Sequence, residues 1–140
     1  MRDHFAGRLI GLPYAQGARG PDRFDCWGLF RFVARQELGI DLPDVFCDGT
    51  LAARVRAFAS LGGGAVSAVP VDCPRELDAV YLSAHRLPHH IGVWIEPDRR
   101  KGVLHAIAGA GVVFQRVPDL AAHGLQIVAF LRLRKDPSCP

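Results

Sequence analysis

A cysteine lies where a loop rich in glycine, proline and charge gives way to a helical pattern, in the stretch Asp25-Cys26-Trp27-Gly28-Leu29. Asp25 is a typical N-cap residue, so the pattern predicts that a helix starts at Cys26. The partial positive charge of a helix N-terminus favours a thiolate, which is the nucleophilic form of cysteine. Cys26 is therefore the candidate nucleophile.

Two histidines are candidate partners of this thiol. His90 opens one short strand pattern, and His105 lies in the middle of the next. If a hairpin through residues 96–102 pairs these strands, the two rings come close on one surface. Gly92 shares the face of His90, which predicts space beside the ring. A base near the thiol, oriented by a second polar group, is what nucleophilic cysteine catalysis requires.

Other roles are open for the same residue types. A cysteine at a helix start also serves as a small apolar core residue, and a histidine that opens a strand also lies at the surface or in the core. A metal site is a further alternative, and its candidate ligands are His85, His89, His90 and Cys73. Because no pair of these has zinc-finger spacing, we expect no metal. His4 and His123 are predicted to be surface residues.

Composition narrows the class of protein. With 140 residues, 49% hydrophobic and 22% charged, the chain is predicted to be a single domain over residues 1–140. The net charge is only +3, and the basic triplet Arg99-Arg100-Lys101 reads as a solvated hairpin turn, so nucleic-acid binding is not expected. No apolar run is long enough to span a membrane, and no secretion signal stands at Met1, so we expect synthesis in the cytosol with free thiols.

The periodicity predicts helices before strands. Helices are expected over residues 3–11 with Asp3 as the cap, over 25–38 with Gly39 after its end, and over 50–61. Strands are expected at residues 65–69, 79–82, 91–95, 103–107, 112–117 and 127–133. In the second helix, one face carries four apolar residues, namely Cys26, Leu29, Phe30 and Val33. This order is typical of an α+β domain with an antiparallel sheet.

The chain resembles the NlpC/p60 family of papain-like cysteine peptidases, which cleave the peptide stems of bacterial peptidoglycan. The resemblance rests on blocks that follow the family's order: Leu12-Pro13-Tyr14, Phe24-Asp25-Cys26-Trp27-Gly28-Leu29, Gly39-Ile40-Asp41-Leu42-Pro43, Leu77-Asp78-Ala79-Val80-Tyr81, His90-Ile91-Gly92-Val93-Trp94-Ile95 and Leu104-His105-Ala106. It implies a papain-like α+β fold in which N-terminal helices pack on a small antiparallel sheet.

The resemblance also implies roles for individual residues. Cys26 corresponds to the nucleophile, His90 to the general base and His105 to the polar residue that orients the base. Tyr14, Asp25 and Trp27 are expected to bind substrate around the nucleophile. The family needs no metal or organic cofactor. The loop Gly17-Ala18-Arg19-Gly20 departs from the paired glycines of many relatives, so the edge of the cleft is expected to differ.

The implied function is a peptidoglycan hydrolase that cuts the stem peptide. Trp27, where many relatives have Ser, resembles the phage-tail-associated members, which implies delivery in a virion tail to the bacterial wall, with other tail proteins as partners. Two alternatives stay open. One is a structural tail-tip protein that has no turnover, and the other is an acyltransferase or amidase that acts on a substrate outside the wall.

Overall fold

The computed structural model describes residues 3–43, 66–84 and 87–135. Within these ranges the chain forms short helices first and strands second. The elements are a 3₁₀ turn Phe5–Arg8, α1 Cys26–Val33 with a π-helical turn Ala34–Leu38, β1 Val66–Val71, β2 Ala79–Ala84, β3 Leu87–Ile95, a 3₁₀ turn Pro97–Arg99, β4 Gly102–Ile107, β5 Gly111–Arg116, α2 Val117–Ala122 and β6 Leu125–Lys135.

The strands form one six-stranded sheet in the order β1-β6-β2-β3-β4-β5, and every pair is antiparallel. Each of the six predicted strands is present, with ends that differ by a few residues. β6 returns between β1 and β2, so β2 and β3 lie in the middle of the sheet. The predicted α+β class with an antiparallel sheet is confirmed.

Helix α1 packs on β3 and β4 and buries its predicted apolar face, which carries the stripe residues Cys26, Leu29, Phe30 and Val33. The stripe residues share one core cluster with the alternating apolar residues of the two strands, including Ile91, Val93, Ile95, Leu104 and Ala106. Trp94 and Val103 face the other way and form a second cluster with Leu120 of α2. The sheet is therefore covered on both faces, by α1 on one and by α2 on the other.

The end of the second predicted helix is confirmed at Leu38. After Val33 the helix widens into the π-helical turn, and Gly39 then adopts the left-handed conformation with φ of 65°. This conformation is easily reached only by glycine, which explains why the helix stops there.

The first predicted helix is shorter than expected. Only Phe5–Arg8 is helical, as a 3₁₀ turn, and its cap is His4 rather than Asp3. The physical reason is a local hydrogen bond, because His4 Nδ1 accepts from the Ala6 amide at 3.1 Å. His4 also contacts Glu76 through Nε2, so it is tied into the protein rather than being a plain surface residue.

Helix α2 is a second departure from prediction, because the sequence around Pro118 reads as a turn. Proline is tolerated in the first helical turn, where its missing N–H removes no hydrogen bond. The basic triplet is exposed in the hairpin turn as predicted. The predicted helix over 50–61 lies outside the described residues. No helix in the described part of the chain is both long and apolar enough to cross a membrane.

Candidate active site

The predicted helix start at Cys26 is confirmed. Asp25 has the extended conformation of an N-cap, with φ of −95° and ψ of −178°, and its Oδ1 accepts from the Gly28 amide at 2.6 Å. This bond satisfies one of the amides that the first helical turn cannot bond internally. Cys26 is 5% exposed, so its thiol lies at the edge of the core, at the positive end of α1.

The Asp25 carboxylate also holds the loop that precedes the helix. Oδ2 accepts from the Gly17 amide at 3.0 Å, and Arg19 Nη1 donates to both oxygens at 3.0 and 2.9 Å. The Asp25 residue is 2% exposed. Its carboxylate is thus shared between the loop and the helix, and it fixes the position of Cys26 relative to the loop.

A close backbone approach reinforces this junction. A Cβ atom at position 28 would lie 2.1 Å from the Ala18 carbonyl oxygen, so only glycine fits there. The same carbonyl accepts from the Asp25 amide at 3.0 Å. Gly28 therefore has a packing function, since the loop backbone occupies the space where a side chain would be.

The predicted approach of the two histidines is confirmed. β3 and β4 form the expected hairpin, which closes at the pair Ile95↔Gly102. His90 Nε2 lies 2.8 Å from His105 Nδ1, and the ring centroids are 5.0 Å apart. The ladder between these strands ends at the pair Val93↔Leu104, so the bonded rings lie where the strands cease to pair.

The space predicted beside Gly92 is filled, and that prediction is wrong. A Cβ atom at Gly92 would lie 2.4 Å from Val103 Cγ1 and 3.1 Å from His105 Cβ. The glycine therefore allows β4 to approach β3 closely, rather than admitting a ligand to the ring. This close approach brings the backbone of His105 within reach of His90.

His105 is buried in the sheet and is neutral at physiological pH. It has no exposed surface, and burial lowers its pKa from the ordinary 6.5 to about 4, although a hydrogen bond with Gln115 opposes the shift. His105 Nε2 lies 2.8 Å from Gln115 Oε1. A neutral ring carries one N–H, so one nitrogen donates and the other accepts.

The depressed pKa predicts a loss of stability in acid. The unfolded chain takes up a proton near pH 6.5 and the folded one only near pH 4, so folding weakens as the pH falls between these values. We expect this one group to remove about 2.5 kcal/mol of unfolding free energy between pH 7 and pH 4.5. Urea unfolding at both pH values, compared with His105→Gln, measures the difference. Equal losses in the two proteins would contradict the prediction.

Two residues at the site were not among the predicted ones. Gln115 bonds His105, and Arg19 bonds the Asp25 carboxylate. A signal for Gln115 was present, since alternation in β5 puts it on the same face as Val113, which pairs with His105. No sequence pattern singles out Arg19, because its partner is set by the path of the loop.

The three residues predicted to bind substrate lie in different settings. Tyr14 is half-buried and bridges through its backbone to Phe24, two residues before the thiol. Trp27 is fully buried, and its Nε1 donates to the Pro43 carbonyl at 3.3 Å. Substrate contact stays a prediction for all three, and burial of Trp27 and Asp25 argues against direct contact because neither side chain reaches the surface.

The alternative metal site gains no support from the described residues. In the described ranges, no three His, Cys, Asp or Glu side chains are placed to hold a metal ion together. His85 lies outside the described residues, as does the side chain of His89. Cys73 is an exposed free thiol, and its carbonyl accepts from Arg132 Nη2 at 3.4 Å.

The helix that starts at Cys26 packs on the two strands that carry the histidines. Cys26 belongs to the same core cluster as Ile91 and Ala106 of these strands. A thiol at a helix N-terminus, together with two hydrogen-bonded imidazoles on the supporting strands, has the groups required for acyl transfer through a thioester.

Comparison with known proteins agrees with this architecture. The model of the NlpC/P60 family matches residues 11–119. The crystal structure of the NlpC/p60 domain of the peptidoglycan hydrolase SagA is similar over 91% of this chain and 92% of that chain, with a TM-score of 0.58 and 21% identity. Comparison with curated protein sequences gave no match.

Two longer proteins share the fold. A Staphylococcus aureus protein described as similar to lipoprotein, of the NLP/P60 family, gives a TM-score of 0.55 at 19% identity, over 91% of this chain and 38% of that one. NlpC1 from Trichomonas vaginalis gives a TM-score of 0.55 at 19% identity, over 93% of this chain and 42% of that one. This chain therefore spans less than half of each. The predicted papain-like α+β fold is confirmed, and because the family model covers most of the sequence, the chain belongs to the NlpC/P60 family.

Proposed function

We propose that this protein is a cysteine peptidase that hydrolyses an amide bond in the stem peptide of peptidoglycan. The observation that carries the proposal is the 2.8 Å contact between His90 Nε2 and His105 Nδ1, on the strands that support the helix beginning at Cys26. Membership of the NlpC/P60 family supports a hydrolase of this type, and a relative of the same fold is described as a peptidoglycan hydrolase.

In the proposed mechanism, Cys26 Sγ attacks the scissile carbonyl carbon after His90 has taken the thiol proton. The backbone amide of Cys26, in the first turn of α1, stabilises the oxyanion. The tetrahedral intermediate then collapses to a thioester, which breaks the C–N bond, and the proton passes from His90 to the leaving amine. Water, deprotonated by His90, then hydrolyses the thioester and restores the thiol. His105 acts through His90, which it orients.

The test is digestion of purified peptidoglycan followed by mass spectrometry of the soluble products. A stem-peptide cut adds one water to an amide bond and leaves the disaccharide intact, so the position of the new termini identifies the bond. Iodoacetamide-treated protein is the control. We expect products from the untreated protein alone. Equal release by both samples would contradict a cysteine peptidase.

A phage tail is the proposed setting, in which the protein is carried in the virion and acts at the bacterial wall beside other tail proteins. The support is the sequence of the nucleophile motif, with Trp27 after Cys26. Trp27 lies in the core, near Phe30 at a centroid distance of 6.0 Å. Tail genes on either side of this gene would support the setting, and neighbours of other kinds would contradict it.

Two rival functions use the same fold. A structural tail-tip protein would need no reactive thiol, and an acyltransferase or amidase on a substrate outside the wall would need the same residues. A panel of non-wall amides in the digestion assay tests the second. Thiol reactivity tests the first.

We expect Cys26 to react with iodoacetamide at pH 6 at least about tenfold faster than Cys47, Cys73 or Cys139, because the helix N-terminus favours the thiolate. Cys73 is the sharpest internal control, since it is an exposed free thiol while Cys26 is buried. Accessibility alone would therefore make Cys73 the faster of the two. Peptide mapping after timed labelling measures the rates, and faster labelling of Cys73 would favour the structural role.

A further inference from the structure

A chain of hydrogen bonds runs from His105 towards the surface. Gln115 Oε1 lies 2.8 Å from His105 Nε2, and Gln115 Nε2 lies 3.1 Å from His123 Nδ1. His123 is exposed, just after the end of α2, and Gln115 is half-buried in β5. The neutral amide thus connects a fully buried imidazole with a solvent-exposed one.

The amide has a direction, and this direction determines where protons lie. A carbonyl oxygen only accepts, so Gln115 Oε1 requires the proton of neutral His105 to be on Nε2. His105 Nδ1 is then the acceptor, and the 2.8 Å contact requires His90 to donate from Nε2. His90 Nδ1 therefore carries the lone pair of that ring.

At the outer end of this series of hydrogen bonds, His123 Nδ1 can be either unprotonated or protonated. In the present arrangement, Gln115 Nε2 donates to His123 Nδ1, which must be unprotonated. The Asp119 carbonyl oxygen lies 2.9 Å from the same nitrogen, and it can bond only a protonated Nδ1. A proton on His123 Nδ1 thus satisfies Asp119 and excludes the amide N–H of Gln115, so the two contacts compete.

We propose that Gln115 is a positioning residue that sets the tautomers of His105 and His90, and that His123 fixes the direction of the Gln115 amide. The inference rests on the proposed function only in that His90 is the base. If the amide turns around, its N–H faces His105 Nε2. The His105 proton then moves to Nδ1, His90 must accept at Nε2, and the His90 proton occupies Nδ1. His90 in that state cannot take a proton through Nδ1.

The first experiment measures tautomers and needs no substrate. Side-chain nitrogen shifts of ¹⁵N-labelled protein at pH 8 distinguish Nδ1–H from Nε2–H in each histidine. We expect Nε2–H for both His90 and His105 in the unaltered protein. We expect a mixture of tautomers at His105 in Gln115→Met, whose side chain has a similar shape but offers only a weakly accepting sulfur. Unchanged spectra in Gln115→Met would overturn the proposal, whether or not the protein proves to be a peptidase.

The second experiment measures turnover on the stem-peptide substrate at pH 8. In Gln115→Met we expect kcat to fall about tenfold or more with KM unchanged, because misplaced protons affect the base and not binding. Gln115→Glu presents only acceptors to His105, so His90 and His105 should each keep the Nε2–H tautomer. Its kcat should stay within about threefold of that of the original protein. Equal losses in the Met and Glu variants, or a change in KM alone, would overturn the positioning role.

Controls separate positioning from folding. Gln36→Met alters an exposed glutamine remote from the chain of bonds and should change neither spectra nor kcat. Urea midpoints of the Gln115 variants identify any loss of stability. His123→Leu removes the outer anchor at an exposed position, and we expect mixed tautomers at His105 and an intermediate kcat. Spectra identical to those of the original protein would exclude His123 from the proposed arrangement.

Discussion

The Cys26→Ala variant is expected to release no stem-peptide product above background from purified peptidoglycan. Alanine has no atom able to form the thioester, and a neighbouring base without its nucleophile contributes little, so the rate should fall on the order of 10⁴-fold or more. Mass spectrometry of the soluble fraction over a time course measures this directly. Product release equal to that of the original protein would exclude the proposed mechanism.

Cys73→Ala is the matched control for this variant. It makes the same change at an exposed thiol outside the site, so its activity should equal that of the original protein. Because Cys26 belongs to the core cluster, its removal also leaves a small void. Circular dichroism and urea unfolding of both variants therefore accompany the assay. A loss of activity in Cys26→Ala with native unfolding behaviour assigns the loss to chemistry.

The Asp25→Ala variant is expected to lose about 3 kcal/mol of unfolding free energy, more than typical single substitutions. It removes the N-cap of α1 and leaves the Arg19 guanidinium without its carboxylate, although the Arg19 side chain is 18% exposed. Breaking a buried ion pair on one side typically has a cost near this size. Urea unfolding at pH 7 gives the difference from the original protein.

Asp41→Ala is the matched control, because it removes the carboxylate of an arginine–aspartate ion pair at the surface. Asp41 pairs with Arg35 at 3.4 Å, and the two side chains are 78% and 64% exposed. Solvent screens such a pair, so its loss should change stability by less than about 0.5 kcal/mol. If Asp25 instead binds substrate, Asp25→Ala would raise KM and leave stability nearly unchanged. That outcome would contradict the structural role.

The sequence predicted the structure best where the environment of a side chain follows from the periodicity of the helix or strand that contains it. Runs of β-branched and aromatic residues between turn signals predicted the six strands, and the apolar face from Cys26 to Val33 predicted the buried face of α1. Prediction was poorer where a local bond decides the outcome. The Ala6 amide bonds His4 instead of Asp3, and Pro118 begins a helix instead of a turn.

The site shows the same division. The helix start at Cys26 and the meeting of His90 with His105 follow from a cap, a hairpin and strand alternation. The contact of Arg19 with Asp25 depends on how the intervening loop folds back, and no periodic pattern encodes that path. The effect of Gly92 was misjudged because the space beside a glycine is decided by the next strand, which here is close.

The sharing of the Asp25 carboxylate has a consequence for how the loop before α1 can move. If the loop before α1 swings away, the Asp25 carboxylate loses the Gly17 amide at Oδ2, while the Gly28 amide can still bond Oδ1. Because one side chain serves both, we expect loop opening to loosen the cap of the helix that begins at Cys26. The loop edge beside the thiol is therefore shaped during folding, and a large movement of the loop would disturb the helix that carries Cys26.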